Sequence, residues 1–231
     1  MKRISMLAAL FVLIGGMSAF GGTLVPVYDN ATGDLGNQAW TGNLAELFTV
    51  NSTITVVALG AFDNGSATLN SPITVGIASI SGGVGTAVPN ASYTFAAGLY
   101  TDVVGGDVFY TLPTPVTLTP GTYEVDAFGW ALNQLDGDTN CDFTSAYGCQ
   151  ATLSNSPAFN SLGGSVTADG GAYSLTVGTL DYPTGNTQGS ALSIGTFAVE
   201  TPEPGSLLLL GTGLLGLAFV AFRQVKASRL V

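Results

Sequence analysis

Between residues 22 and 200 the apolar positions recur with a period of two, in short runs separated by Gly, Pro, Asn and Asp. That rhythm predicts strands and turns. The first clear strand begins near Leu47. Ser52 to Phe62 is apolar on both parities, with Ile54, Val56 and Ala58 on one face and Val57, Leu59 and Ala61 on the other, so both faces are expected to be covered. Asp63-Asn64-Gly65 supplies a turn before Ile73, Val75 and Ile77 align, and Ser81-Gly82-Gly83 ends that strand. Tyr93 with Phe95, then Val108, Tyr110 and Leu112, continue the alternation.

The sharpest local signal follows. Val116 and Leu118 lead into Thr119-Pro120-Gly121-Thr122, which fits a type II turn, and Tyr123, Val125 and Ala127 then share one parity. Glu124 and Asp126 are expected on the opposite, solvated face, and the phase reverses near Gly129. Asn133 to Asn160 is expected to be a polar loop. Two last strands are expected at Ala172 to Leu180, with Tyr173, Leu175 and Val177 inward, and at Ala191 to Val199, where a bulge at Gly195 would bring Leu192, Ile194, Phe197 and Val199 to one core. Eight or nine such strands, with no helical period outside the two ends, predict an all-β antiparallel sandwich of jelly-roll-like topology, with a parallel β-helix as the alternative.

The ends read differently. Residues 1–21 have the layout of a signal peptide: Lys2 and Arg3 ahead of an apolar run from Met6 to Met17, then small residues at Ala19 and Gly21. An uncleaved anchor is the alternative, although twelve apolar residues are short for a span. In residues 201–231, Pro202-Glu203-Pro204 runs into an apolar stretch that stops at Arg223, Lys226 and Arg229. At about 1.5 Å per residue, residues 205–222 would extend roughly 27 Å as a helix, near the lower limit for a single transmembrane helix. The cations after it would keep the C-terminus cytoplasmic. The division expected is therefore signal peptide 1–21, acidic β-sandwich ectodomain 22–200, and tail 201–231 with a transmembrane segment at about 205–222.

Charge sharpens this picture. The 231 residues carry a net charge of -10 with no His, and all five cations lie at the ends. Between Ile4 and Phe222 there is no Lys, Arg or His. Nucleic-acid binding and phosphate clamping need those cations. Ser/His/Asp and Cys/His catalysis need an imidazole base, and a histidine metal site needs a ligand this stretch lacks. Glycine, at 32 residues, and the shortage of helix-forming charged residues both favour strands with turns.

Four candidate chemistries remain. Cys141 and Cys149, eight positions apart in an exported chain, are expected to form a disulfide, with a free or metal-binding thiol pair as the alternative. Asp136, Asp138, Asn140 and Asp142 place oxygen ligands at alternate positions, as the start of a calcium loop does. The sixth and twelfth places of that loop hold Cys141 and Tyr147 instead of Gly and Glu, so a solvated Asx-rich turn competes with calcium. Glu46, Glu124 and the Asp residues could supply a glycosidase carboxylate pair, but Glu124 reads as an exposed strand position and nothing pairs it with a partner. Trp40, Trp130 and the tyrosines would make either a sugar-stacking platform or core. No cofactor is expected apart from calcium in that alternative.

The Pro202-Glu203-Pro204 triplet, apolar span and Arg-containing end resemble the PEP-CTERM sorting segment, also known as the ice-binding protein C-terminal domain. The resemblance implies export by a Gram-negative bacterium, an inner-membrane intermediate, and an exosortase-type enzyme that recognises and cuts the tail near the triplet. A plain membrane anchor is the alternative. Val57 to Asp63, the strand at Val75 and Ile77, and Pro115 to Leu118 followed by Gly121 to Tyr123 resemble the β-sandwich ectodomains that precede such tails. Those are core and turn residues and imply fold only. An ice-binding face would need regular threonine arrays, and Thr53/Thr55 with Thr117/Thr119 are too few. The expected function is an exported, non-catalytic surface or matrix protein associated with exopolysaccharide. The alternatives are a carbohydrate- or calcium-binding adhesin module and a carboxylate-only glycoside hydrolase.

Overall fold

A computed structural model of the chain describes residues 23–63, 67–137, 157–184, 187–188, 192–200 and 211–216. The chain divides into two units: Leu24–Glu200, and a second formed by Met1–Thr23 with Thr201–Val231. In the second unit residues 211–216 are helical. Among the described residues no helix is long and apolar enough to cross a membrane. The expected signal peptide and most of the expected transmembrane segment lie outside the described residues.

The unit Leu24–Glu200 forms, in its described residues, strands and their connections, with one short 3-10 turn at Leu162–Gly164. Its strands are Leu24–Pro26 (β1), Tyr28–Asp29 (β2), Asn43–Val50 (β3), Ile54–Phe62 (β4), Thr68–Leu69 (β5), Ile73–Ser81 (β6), Val84–Phe95 (β7), Gly98–Leu99 (β8), Val103–Val104 (β9), Asp107–Leu118 (β10), Gly121–Phe128 (β11), Ala158–Phe159 (β12), Val166–Ser174 (β13), Thr187–Gln188 (β14) and Gly195–Glu200 (β15). One sheet has the order β1-β15-β4-β10-β9 and the other β14-β13-β3-β11-β6-β7, and every strand pair is antiparallel. The two sheets face each other across one apolar core. Phe48 of β3 meets Phe197 of β15 with ring centroids 4.8 Å apart, and Val56, Leu59, Ile77, Val125 and Leu118 fill the layer around them. Burying an aromatic or branched side chain in this way contributes about 1.5–3 kcal/mol each.

Three local expectations change in the tertiary context. In β4, Val116 pairs with Val56 and Thr111 with Ala58, so the register slips at Val57. The slip turns Ile54 and Val56 into the main core together with Leu59 and Ala61, while Ala58 joins Phe109 and Ala198 in a separate outer cluster. The strict two-face reading of that strand is corrected by this bulge. Secondly, the type II turn expected at Thr119-Pro120-Gly121-Thr122 is not formed: Gly121 lacks the positive φ that turn needs at its third position and already opens β11. β10 pairs with β4 and β11 pairs with β3 and β6, so the connection passes from one sheet to the other.

The third change affects the surface that matters below. The strand expected at Ala172 to Leu180 runs instead from Val166 to Ser174, and Leu175 and Val177, expected inward, are each 66% exposed. Its partner β3 begins at Asn43, which pairs with Ser174, so β3 offers no further strand residue to the chain beyond Ser174. The chain turns through Gly178, whose φ is 82°, and residues 175–184 lie back across the outer face of the six-stranded sheet. The last strand fares better: Leu192, Ile194 and Phe197 reach the core and Val199 packs against it. The irregularity there lies at a bend at Ile194 and at a register shift between Ala198 and Val199.

Candidate functional site

The centre of the outer face of the six-stranded sheet is made of small and apolar residues around two carboxyls. Side chains alternate across a strand, so Tyr123, Val125 and Ala127 of β11 point into the sandwich and Glu124 and Asp126 point out. Around them Leu47 and Ala45 of β3 pair with Glu124 and Asp126 on one side, and Ala78 and Gly76 of β6 do so on the other. The expectation that Glu124 and Asp126 are solvated is corrected: both are 0% exposed. Their cover is the segment 175–184. A Cβ on Gly76 would come within 2.5 Å of Leu180 Cδ1, and one on Gly85 would collide with Tyr182 Cβ. Only glycine at those two positions lets the segment lie this close to the sheet.

Segment 175–184 is held by several hydrogen bonds. Asn43 Nδ2 donates to the carbonyls of Thr176 and Thr179 at 2.8 and 3.0 Å, and Ser174 Oγ donates to Asp181 Oδ2 at 2.8 Å. Thr184 Oγ1 donates to Gly83 O at 2.6 Å. Tyr182 N–H donates to Asp126 Oδ2 at 3.2 Å, the one of these bonds that reaches the carboxyl pair. Glu124 Oε1 and Oε2 and Asp126 Oδ1 are buried and accept no hydrogen bond among the described residues.

Burial dominates the electrostatics here. Desolvation, reinforced by Asp126 and then Asp181, pushes the Glu124 carboxyl up to about 8 from 4.5. Desolvation also pushes Asp126 up to about 8 from 3.8, with the Tyr182 amide pulling the other way. Tyr182 itself is pushed up to about 12 by burial and by the same two carboxyls. With no cation anywhere between Ile4 and Phe222, no side chain of the domain can neutralise this pair, and burial favours the protonated form of both.

The other residues singled out by sequence fall elsewhere. Glu46 pairs with Val125, so it points into the sandwich, on the opposite side of the sheet from Glu124, and its carboxyl accepts the Leu192 N–H. The two glutamates therefore cannot flank one glycosidic bond. Trp40 and Trp130 are 9% and 2% exposed, so neither offers a face to a sugar. Trp40 packs edge-on against Tyr173 and donates Nε1–H to Ser174 O at 3.1 Å. Tyr93 and Tyr110 stack on each other at 3.5 Å.

Asp136 is buried. Its Oδ2 accepts the Trp40 N–H at 3.0 Å, and its backbone exchanges hydrogen bonds with Gln38 at 2.8 and 3.1 Å, so it tethers the stretch ahead of β3. Asp138, Asn140 and Asp142 lie outside the described residues, as do Cys141 and Cys149 and the triplet Pro202, Glu203, Pro204. Among the described residues no group of three or more His, Cys, Asp or Glu side chains could hold a metal ion. A second feature was not legible in the sequence: an open cavity of about 570 Å³ lined by Pro26, Asp29, Val104, Phe159, Asn160 and Ser161, among others. It depends on β12 pairing with β2 across some 130 residues of chain, as Ala158 does with Asp29.

No curated protein and no solved structure matches the chain. Residues 200–224, which include the Pro202-Glu203-Pro204 triplet, match the family described as the PEP-CTERM protein-sorting motif.

Proposed function

We propose that this chain is an exported, non-catalytic protein of the cell surface or extracellular matrix, in which a jelly-roll sandwich is the cargo and the C-terminal motif is its address. The observation that carries this reading is the sorting motif at residues 200–224, which begins where the sandwich's last strand ends. An exosortase-type enzyme would cut near Pro202-Glu203-Pro204 after the tail has entered the inner membrane. The strand orders β1-β15-β4-β10 and β3-β11-β6-β7 support the jelly-roll topology. Cutting at the triplet would remove Arg223, Lys226 and Arg229, and signal cleavage would remove Lys2 and Arg3, so the mature domain would carry no positive side chain. An all-acidic surface of this kind stays soluble by self-repulsion and suits neutral partners such as uncharged exopolysaccharide.

Fractionation of the native host with intact-mass measurement tests the reading. The expected species is a surface or matrix protein that begins near Gly22 and ends near the triplet. An intact tail in the final location returns the chain to a plain membrane anchor.

One observation favours a second reading, a carbohydrate-binding module. The cavity beside Asp29 combines a half-buried aromatic ring, Phe159, with amide, hydroxyl and carboxyl groups, a combination suited to sugars. Glycan-array binding that is lost with Phe159→Ala would support it, and binding unaffected by that change would remove it. Calcium at Asp136, Asp138, Asn140 and Asp142 stays a proposal attached to this second reading.

A further inference from the structure

Glu124 is a fully buried side chain whose two oxygens accept no hydrogen bond among the described residues, beneath a segment that is not part of any strand. Asp126, two positions along the same face, accepts the Tyr182 N–H of that segment at Oδ2, while its Oδ1 accepts no hydrogen bond among the described residues. We propose that residues 175–184 form a pH-sensitive strap, closed over Glu124 and Asp126 while both are neutral and opened at residues 180–184 when both are ionised.

The groups that face the pair come from every element around it. The strap contributes Asp181 and Tyr182, both of which add negative charge or none. β3 contributes Leu47 and Ala45, β6 contributes Ala78 and Gly76, and β7 contributes Gly85, none of which titrates. The ionised pair would therefore have three carboxylates close together, counting Asp181, and nothing positive to offset them. A buried charge without a partner is relieved by hydration. β11 cannot move to admit water, because it is hydrogen-bonded along most of its length to β3 and to β6. The strap can, since it belongs to no strand: beyond Thr179, Leu180 and Tyr182 lie against Gly76 and Gly85, and the bonds that hold it are Ser174 Oγ to Asp181, Tyr182 N–H to Asp126 and Thr184 Oγ1 to Gly83 O. The bonds from Asn43 to Thr176 and Thr179 sit ahead of this point and would act as the hinge. Opening uncovers Gly76 and Gly85, against which Leu180 and Tyr182 lie, beside the now-charged pair. The elevated proton affinity of both carboxyls makes closure weaken as pH rises toward about 8.

Hydrogen exchange on the full chain, read as protection factors so that the intrinsic pH dependence cancels, tests this directly. Chelator is present throughout. Between pH 6 and 9 the protection of the Tyr182 amide should fall about tenfold or more. The Val125 amide, inside the sheet, should keep its protection, which separates strap opening from unfolding. In the Glu124→Gln/Asp126→Asn variant the strap should stay protected at pH 9, and Glu124→Gln alone should give an intermediate loss should the double variant not fold. Unchanged protection of Tyr182 in the wild-type chain overturns the proposal. So does an equal loss in the variants, or a loss shared by Val125.

Discussion

Two buried acidic places in the same sandwich are treated in opposite ways. Asp107, at the start of β10, is 0% exposed, and Asn30 wraps it, giving its Nδ2–H to Oδ1 at 2.8 Å and its backbone N–H to Oδ2 at 3.2 Å. Burial still raises its proton affinity, with Asp63 and Asp29 adding to the effect, but those two bonds pull it down and lock the loop from Asn30 to β10. Glu124 is buried to the same extent with no such donors. The contrast separates a carboxyl used as a clamp from one that is only covered. Removal of the first should loosen the fold, and neutralisation of the second should tighten it.

The largest expected effect breaks the clamp. Asp107→Ala strips two buried Asn30 donors of their acceptor and should cost about 2–4 kcal/mol by denaturant unfolding at pH 6. A cost below about 0.5 kcal/mol would place Asp107 in the same class as Glu124.

Next comes the pH dependence. Glu124 and Asp126 change from 4.5 and 3.8 in the unfolded chain to about 8 in the folded one. Below about pH 4 both states hold these protons, and above about pH 8 neither does. Between the two only the folded chain holds them. Stability contributed by the neutral pair is therefore complete in acid, declines as pH rises through that window, and levels off above it. Glu124→Gln should flatten the decline, leaving stability near pH 4 unchanged and raising it by roughly 1–2 kcal/mol at pH 9, the gain being limited because the strap opens before the sheet does. Thermal melts across pH that keep the wild-type slope in the variant would contradict this.

The smallest effect sharpens the strap side. Gly85→Ala pushes Tyr182 off the sheet and should cost about 1 kcal/mol or less, because the strap gives way rather than the core. Faster exchange at Tyr182 with unchanged exchange at Val125 is the expected signature.

Part of this was legible in the linear chain. The period of two from Leu47 to Val199, the turn residues and the missing cations already specified an all-β acidic domain, because strand periodicity and charge are local properties of the sequence. The triplet Pro202-Glu203-Pro204 with its apolar span was likewise readable, since a sorting motif is contiguous. Tertiary structure decided what lies on top of what. Glu124 and Asp126 sit on the outward parity of β11, as alternation requires, yet parity does not reveal that a later segment returns to cover them. That cover depends on β13 ending opposite Asn43 and on Gly76 and Gly85 leaving room for Leu180 and Tyr182. In the same way the bulge at Val57 and the crossing at Thr119-Pro120 follow from which strand is the neighbour, and the cavity at Phe159 from a pairing with Asp29 far upstream. Alternation sets the direction a side chain points from its strand; burial and proton affinity depend on residues distant in sequence.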